Sequence, residues 1–201
     1  DHKRVGDAAI GPSTGGMGAS SPAPVLTREL EAEAIETIIK PTILGMAKAG
    51  TPYSGVLYAG LMLTRAGPKL IEYNARFGDP ECQVLMLRLE DDLLDLMLAT
   101  EAGELANREP PRFGAEIALT VVMAAKGYPG TPETGGAIDG IDAAEYTGAQ
   151  VFQAGTKMNG EQLVAAGGRG LTVTATGATV TEAQAAAYRA VDAIDFPTGF
   201  A

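Results

Sequence analysis

The 201-residue sequence predicts an α+β protein in which helices pack on antiparallel sheets. Two β-prone runs, Gly55 to Thr64 and Lys69 to Ala75, are separated only by Arg65-Ala66-Gly67-Pro68, the pattern of a hairpin. After Gly78-Asp79-Pro80 the apolar residues fall at helical spacing, Val84, Leu85, Leu87 and Leu89, then Leu93, Leu94, Met97 and Leu98, with Gly103 as the stop. Strand-like runs beyond residue 112 lead into one last amphipathic helix. Strands and helices are thus grouped rather than strictly alternating.

In chain order, residues 6–24 hold five Gly and three Pro with no periodicity, and read as an ordered loop rather than a strand. Thr27 is a natural N-cap, with Glu29, Glu31 and Glu33 near the positive end of the following helix. Leu30, Ala34, Ile38 and Leu44 suggest its buried face, Pro41 should kink it and Gly50 should end it. The stiff, polar segment Arg108-Glu109-Pro110-Pro111-Arg112 marks a domain boundary between residues 1–107 and 112–201. Strands are expected at Ile117 to Met123, Ala149 to Ala154 and Leu171 to Thr176. A helix from Thr181 to about Ile194 then presents Ala183, Ala187, Val191 and Ile194 on one face.

Composition narrows the function classes. With 46% hydrophobic and 20% charged residues the chain can build a core. Its net charge of −10 argues against a nucleic-acid or anionic-membrane partner, which it would approach against a repulsive field. Cys82 is the only cysteine and His2 the only histidine, so neither an internal disulfide nor a His-rich metal site is expected, and a Ser-His-Asp triad is nearly excluded. The apolar run from Leu57 to Leu63 is far shorter than the roughly 20 residues of a membrane span. No signal segment is read at the start, and a cytoplasmic protein is expected. The abrupt ends, Asp1-His2-Lys3-Arg4 and Gly199-Phe200-Ala201, read as those of a piece of a longer polypeptide.

Chemistry concentrates in two stretches. On a strand, Glu72, Asn74 and Arg76 project to one side while Ile71, Tyr73 and Ala75 project to the other. A carboxylate and an amide oxygen two residues apart suit a magnesium ion that keeps its other positions for water and phosphate oxygens. The Arg76 guanidinium could hold a carboxylate or a transferring phosphoryl group. The second stretch, Asp7 to Gly18, has closely spaced glycines whose N–H groups could approach an anion, though it matches neither a P-loop nor a dinucleotide fingerprint. On pattern alone, alternating polar residues on a half-exposed strand and a plain connecting loop remain open readings of the two.

Taken together, Asp1-His2-Lys3-Arg4, Gly11-Pro12-Ser13-Thr14-Gly15-Gly16-Met17-Gly18, Ser21-Pro22-Ala23-Pro24, Gly55 to Leu61 and Glu72-Tyr73-Asn74-Ala75-Arg76-Phe77-Gly78-Asp79-Pro80-Glu81 resemble the C-terminal half of the phosphoribosylamine–glycine ligase family of the ATP-grasp superfamily. Phe152 to Lys157 and the final helix resemble that family's C-terminal domain. The resemblance implies the second half of an ATP-grasp domain followed by a small β-rich domain with a terminal helix. It implies a ligase of purine biosynthesis joining glycine to 5-phosphoribosylamine through a glycyl phosphate, with ATP converted to ADP and phosphate. Glu72 and Asn74 fall on the family's Mg2+ (or Mn2+) ligands, and Arg76 on the segment nearest the reacting groups, where it is read as catalytic. Gly15, Gly16, Gly18, Asp79 and Lys157 are read as substrate-binding. The loop and Arg76 are expected to face the substrates rather than the adenine.

The family's N-terminal domain and ATP-grasp lid would lie before Asp1, so the fragment alone is expected to be inactive. The chain departs from the family at Gln153, where the pattern has His. Cys82 and Met17 read as packing residues. Another ATP-grasp carboxylate–amine ligase, or a binding module without catalysis, are the competing classes.

Overall fold

The computed structural model describes residues 2–6 and 10–201, so Asp1 of the first motif and Asp7 of the Gly-rich stretch lie outside the described residues. In chain order the elements are β1 (His2–Gly6), β2 (Ile10–Ser21), α1 (Arg28–Ala34), a π turn (Ile35–Ile39), α2 (Lys40–Lys48), β3 (Tyr58–Thr64), β4 (Gly67–Asn74), α3 (Glu81–Arg88) and α4 (Leu93–Ala102). A 3₁₀ turn (Leu105–Asn107) precedes β5 (Ile117–Ala125), α5 (Ile141–Glu145), β6 (Gln150–Gln153), β7 (Thr156–Asn159), β8 (Gln162–Ala165), β9 (Arg169–Gly177), α6 (Val180–Val191) and β10 (Gly199–Phe200). Two compact units result, residues 1–21, 79–88 and 114–201 in one, residues 22–78 and 89–113 in the other. The chain passes between them four times, so the expected boundary at 107–112 lies close to only the last passage.

The first unit is an antiparallel sheet in the order β1-β2-β5-β9-β6, with β10 added along β5. Its two faces follow the period of two. On one face Val121 and Met123 of β5 and Leu171, Val173 and Ala175 of β9 pack with Ala187, Ala190 and Val191 of α6. On the other, Ala19 and Ala118 pack with Val84 of α3. Thr120 and Thr174 are paired across β5 and β9 on this second face, fully buried, and the Thr174 hydroxyl donates to the Thr120 hydroxyl at 2.7 Å. Their polarity is tolerated there because each hydroxyl has a partner. Helix α6 starts one residue before the expected Thr181 and ends at Val191, short of Ile194: Thr179 Oγ1 accepts from Glu182 N, and Ala183, Ala187, Ala190 and Val191 form the buried face.

The Gly-rich stretch expected to be a loop is strand β2. Its pairing with β5 runs from Gly18 opposite Val121 to Ser21 opposite Ala118. At Gly18 the strands are so close that a Cβ would sit 2.7 Å from the Thr120 carbonyl oxygen. Residues poor in intrinsic strand propensity are held extended by the neighbouring ladder, because pairing and packing outweigh local preference. The hairpin β7–β8 and short helix α5 went unread, being too short to show a period.

The second unit has a helical layer and the expected β3–β4 hairpin. Thr27 caps α1 by accepting from Leu30 N, and the helix system stops at Lys48 with Ala49 as C-cap. Where Pro41 was expected to kink the helix, the chain opens into the π turn, and Lys40 N donates five residues back to Ile35 O. Pro41 has no N–H to offer Thr37, and the wide turn absorbs that loss. Ala34 is buried as expected, while Leu44 is 67% exposed and Thr42, Ile43 and Met46 take the partly buried positions instead. The Tyr73 hydroxyl of β4 ties hairpin to helix through Thr42 Oγ1 at 2.7 Å and the Ile38 carbonyl at 3.2 Å.

The helix expected across residues 81–102 is two helices, α3 in the first unit and α4 in the second. Asp92 ends the continuity, since its carboxylate accepts from Leu94 N and Asp95 N and starts α4 as an N-cap. Gly103 closes α4 in the left-handed conformation. Among the described residues no helix is long and apolar enough to cross a membrane.

Candidate active site

In the second unit the candidate metal ligands sit at the end of β4, Glu72 opposite Gly60 and Asn74 opposite Tyr58. A register shift between Gly60 and Leu61 leaves Ile71 as the extra residue just before Glu72. Such a bulge re-aims the side chains that follow it. Gly60 makes room for the carboxylate: a Cβ there would lie 3.0 Å from Glu72 Cγ and 3.6 Å from Oε1. Glu72 is exposed and Asn74 half-buried. Arg76 lies past the last residue of β4, so the expected continuation of the strand to Arg76 is corrected: the strand stops at Asn74 and a bend follows. Its Nη1 donates to the Phe77 carbonyl at 2.7 Å and its side chain is exposed.

In the first unit Asp79 belongs to a polar cluster centred on Arg169, the first residue of β9. Arg169 Nη1 donates to the carbonyls of Asp79 at 2.8 Å, Gly15 at 3.2 Å and Gly16 at 3.3 Å, while Nη2 donates to Asp79 Oδ2 at 2.9 Å. Gln83 of α3 donates to Asp79 Oδ1 at 3.0 Å and to Thr172 Oγ1 at 3.3 Å. The Gly15 N–H donates to the Tyr128 hydroxyl at 2.9 Å and the Gly16 N–H to Thr14 Oγ1 at 3.0 Å. The expectation that these N–H groups are presented to an anion is therefore corrected, because both already have acceptors within the protein. Gly16, at φ +126°, occupies backbone conformation that only glycine enters without strain.

Gly18 is buried in β2 and lines a cleft of about 390 Å3 walled by Lys3, Arg4, Thr120, Gln184 and Tyr188. Lys157 is exposed on the β7–β8 hairpin, opposite Val164, and does not line that cleft. Gln153 ends β6 and accepts from the Thr156 hydroxyl at 3.0 Å. Burial, with the nearby Asp79 carboxylate second, pushes the Cys82 thiol above its ordinary range, as befits a packing residue. Sequence reasoning missed Arg169, Tyr128 and Gln83. The one available signal was a lone guanidinium in Gly167-Gly168-Arg169-Gly170, at the mouth of an otherwise apolar strand.

What the donors can do follows from their chemistry. Glu72 and Asn74 are hard oxygen donors at a strand end, suited to a divalent cation that takes further oxygens from elsewhere. Among the described residues no group of three or more His, Cys, Asp or Glu could hold a metal, so a cation here would complete its shell with water or phosphate oxygens.

The architecture is that of the ATP-grasp ligases. The profile of the phosphoribosylglycinamide synthetase ATP-grasp (A) domain matches residues 1–82, and that of the phosphoribosylglycinamide synthetase C domain matches residues 118–201. A curated phosphoribosylamine–glycine ligase of Mesorhizobium japonicum is 62% identical over 200 residues, covering 100% of this chain and 47% of that protein. The crystal structure of phosphoribosylamine–glycine ligase from Thermotoga maritima superposes with a TM-score of 0.85 at 35% identity, over 99% of this chain and 48% of that one. The biotin carboxylase domain of Hydrogenobacter thermophilus 2-oxoglutarate carboxylase, solved with MgADP and bicarbonate, shares the fold at 15% identity and TM-score 0.63, over 92% of this chain and 40% of that one. The chain belongs to the phosphoribosylglycinamide synthetase family. It spans about half the length of the curated relatives it matches.

Proposed function

We propose that this chain is the C-terminal half of an ATP-dependent ligase that joins glycine to 5-phosphoribosylamine, giving glycinamide ribonucleotide, ADP and phosphate, in de novo purine biosynthesis and in the cytoplasm. The observation that carries the reading is the 62% identity to a protein of that name across the whole chain, together with the Glu72-x-Asn74 pair at a strand end. In this reading residues 1–107 close an ATP-grasp domain, residues 112–201 form a small C-terminal domain, and the N-terminal domain and lid come from the preceding part of the same polypeptide.

Glu72 and Asn74 would hold Mg2+ or Mn2+. The ion would offset charge on the nucleotide phosphates. Arg76, exposed in the bend just past that strand, would exchange its contact with the Phe77 carbonyl for an anionic substrate group and steady the glycine carboxylate as it is phosphorylated. Asp79, Gly15, Gly16, Gly18 and Lys157 would serve the substrates, Gly15 and Gly16 through their fixed backbone rather than through open N–H groups. No histidine base is required by this chemistry.

The test uses the full-length polypeptide that contains this chain. ADP formation should require both glycine and 5-phosphoribosylamine. ADP formation with a different carboxylate or amine in their place, and none with this pair, would transfer the chain to another ATP-grasp ligase specificity.

A further inference from the structure

We propose that Arg169 is a positioning residue, whose guanidinium sets the Asp79 carboxylate and the Gly15–Gly16 backbone in one fixed arrangement from which Asp79 meets the small-molecule substrates. What Asp79 meets rests on the ligase reading above. The positioning itself rests on geometry. One guanidinium joins three segments far apart in sequence, accepting nothing and donating to four oxygens: three main-chain carbonyls through Nη1 and Asp79 Oδ2 through Nη2. Gln83 holds the other carboxylate oxygen, so Asp79 is gripped at both and cannot rotate freely about its terminal torsion. Gln83 is in turn bound to Thr172, three residues along β9 from Arg169, which returns the network to the same strand.

Exposure assigns the parts. The Arg169 side chain is 21% exposed and that of Asp79 44%, so Arg169 is the more covered member and Asp79 the more open one. Pairing also offsets the carboxylate's charge, which an anionic phosphoribosyl substrate would otherwise meet unshielded. A lysine would keep the charge but gathers its three donors on one nitrogen, and could not occupy both the position of Nη1 against the three carbonyls and that of Nη2 against Asp79 Oδ2.

The experiment combines amide hydrogen exchange with kinetics on the full-length polypeptide, wild type and the variants Arg169→Lys, Arg169→Gln and Asp79→Asn. Arg169→Lys should accelerate exchange at Gly15–Gly16 and at residues 79–83 together. It should lower kcat/KM for the two non-nucleotide substrates roughly tenfold or more while leaving KM for ATP unchanged. Adding Asp79→Asn to Arg169→Lys should then cost little more, because both act on one contact. Unchanged exchange at both segments in Arg169→Lys overturns the proposal, as do fully additive kinetic losses, or a lowered melting temperature with normal kinetics. Should Arg169→Lys fail to fold, Asp79→Asn keeps the carbonyl contacts and must still reproduce the kinetic loss. Absence of glycine- and amine-dependent ADP formation in the wild type would remove the ligase reading, and the exchange data would still decide for or against positioning by Arg169.

Discussion

The side chain of Glu72 crosses the backbone of Gly60 on the adjacent strand, where a Cβ would come within 3.0 Å of Glu72 Cγ. The carboxylate therefore owes its direction to the absence of a neighbour's side chain. Gly60→Ala in the full-length polypeptide should push Glu72 aside and cut turnover about tenfold, as loss of support around a metal ligand typically does. Raised Mg2+ should recover part of the activity. Glu72→Ala should abolish most activity at any Mg2+ concentration while leaving the melting temperature nearly unchanged. A Gly60→Ala variant with wild-type Mg2+ dependence counts against the ligand assignment.

The buried pair Thr120–Thr174 gives a stability prediction. Thr120→Val leaves the Thr174 hydroxyl without its acceptor in the sheet interior, at a cost of about 1–3 kcal/mol, whereas Thr174→Val costs less because the Thr120 hydroxyl still donates to the Val173 carbonyl at 3.4 Å. The double change to Val removes both hydroxyls and keeps the shapes, so it should cost less than the sum of the singles. Urea unfolding of the three variants measures this directly, and strict additivity would mean the hydroxyls act independently.

Cys82 should react slowly. Its thiol is pushed up by burial and then by Asp79, so the thiolate is scarce at neutral pH. Reaction with a disulfide probe should rise only above the usual thiol range, about pH 8.5. Asp79→Asn removes the repelling charge and should shift the profile to lower pH. Rapid labelling at pH 7 would contradict the burial seen here.

Asp91 supplies a pH-dependent contact within the second unit. The Arg112 guanidinium, and then the Arg112 backbone N–H, donate to its carboxylate and hold it below the usual carboxylate range. A depressed carboxylate stabilises the folded state above its unfolded value, about 3.9, and loses that contribution as pH falls through the folded value. Arg112 is exposed and Asp91 only partly covered, so solvent screens the pair and the effect is small. The melting-temperature advantage of wild type over Asp91→Asn should be constant from pH 5 to 7 and shrink below about pH 4.

Local signals in the sequence determined the features that depend on neighbours along the chain. Thr27 as a cap, the stop after Lys48, the β3–β4 hairpin, the α6 face through Ala183, Ala187 and Val191, and the same-side Glu72-x-Asn74 pair all follow from hydrogen bonds and periods spanning a few residues. Tertiary structure decided the rest. The glycine-rich stretch has no intrinsic strand preference, and from Gly18 onward it pairs as a strand because β5 offers a ladder and because a Cβ at Gly18 would strike the Thr120 carbonyl. Asp92 divides what reads as one helix because the two halves serve different units. The meeting of Arg169 with Asp79 spans 90 positions, and no local pattern encodes it. It exists only once β2, α3 and β9 are packed in one unit, since an ion pair between residues so far apart forms after the fold has met the entropy cost of bringing them together.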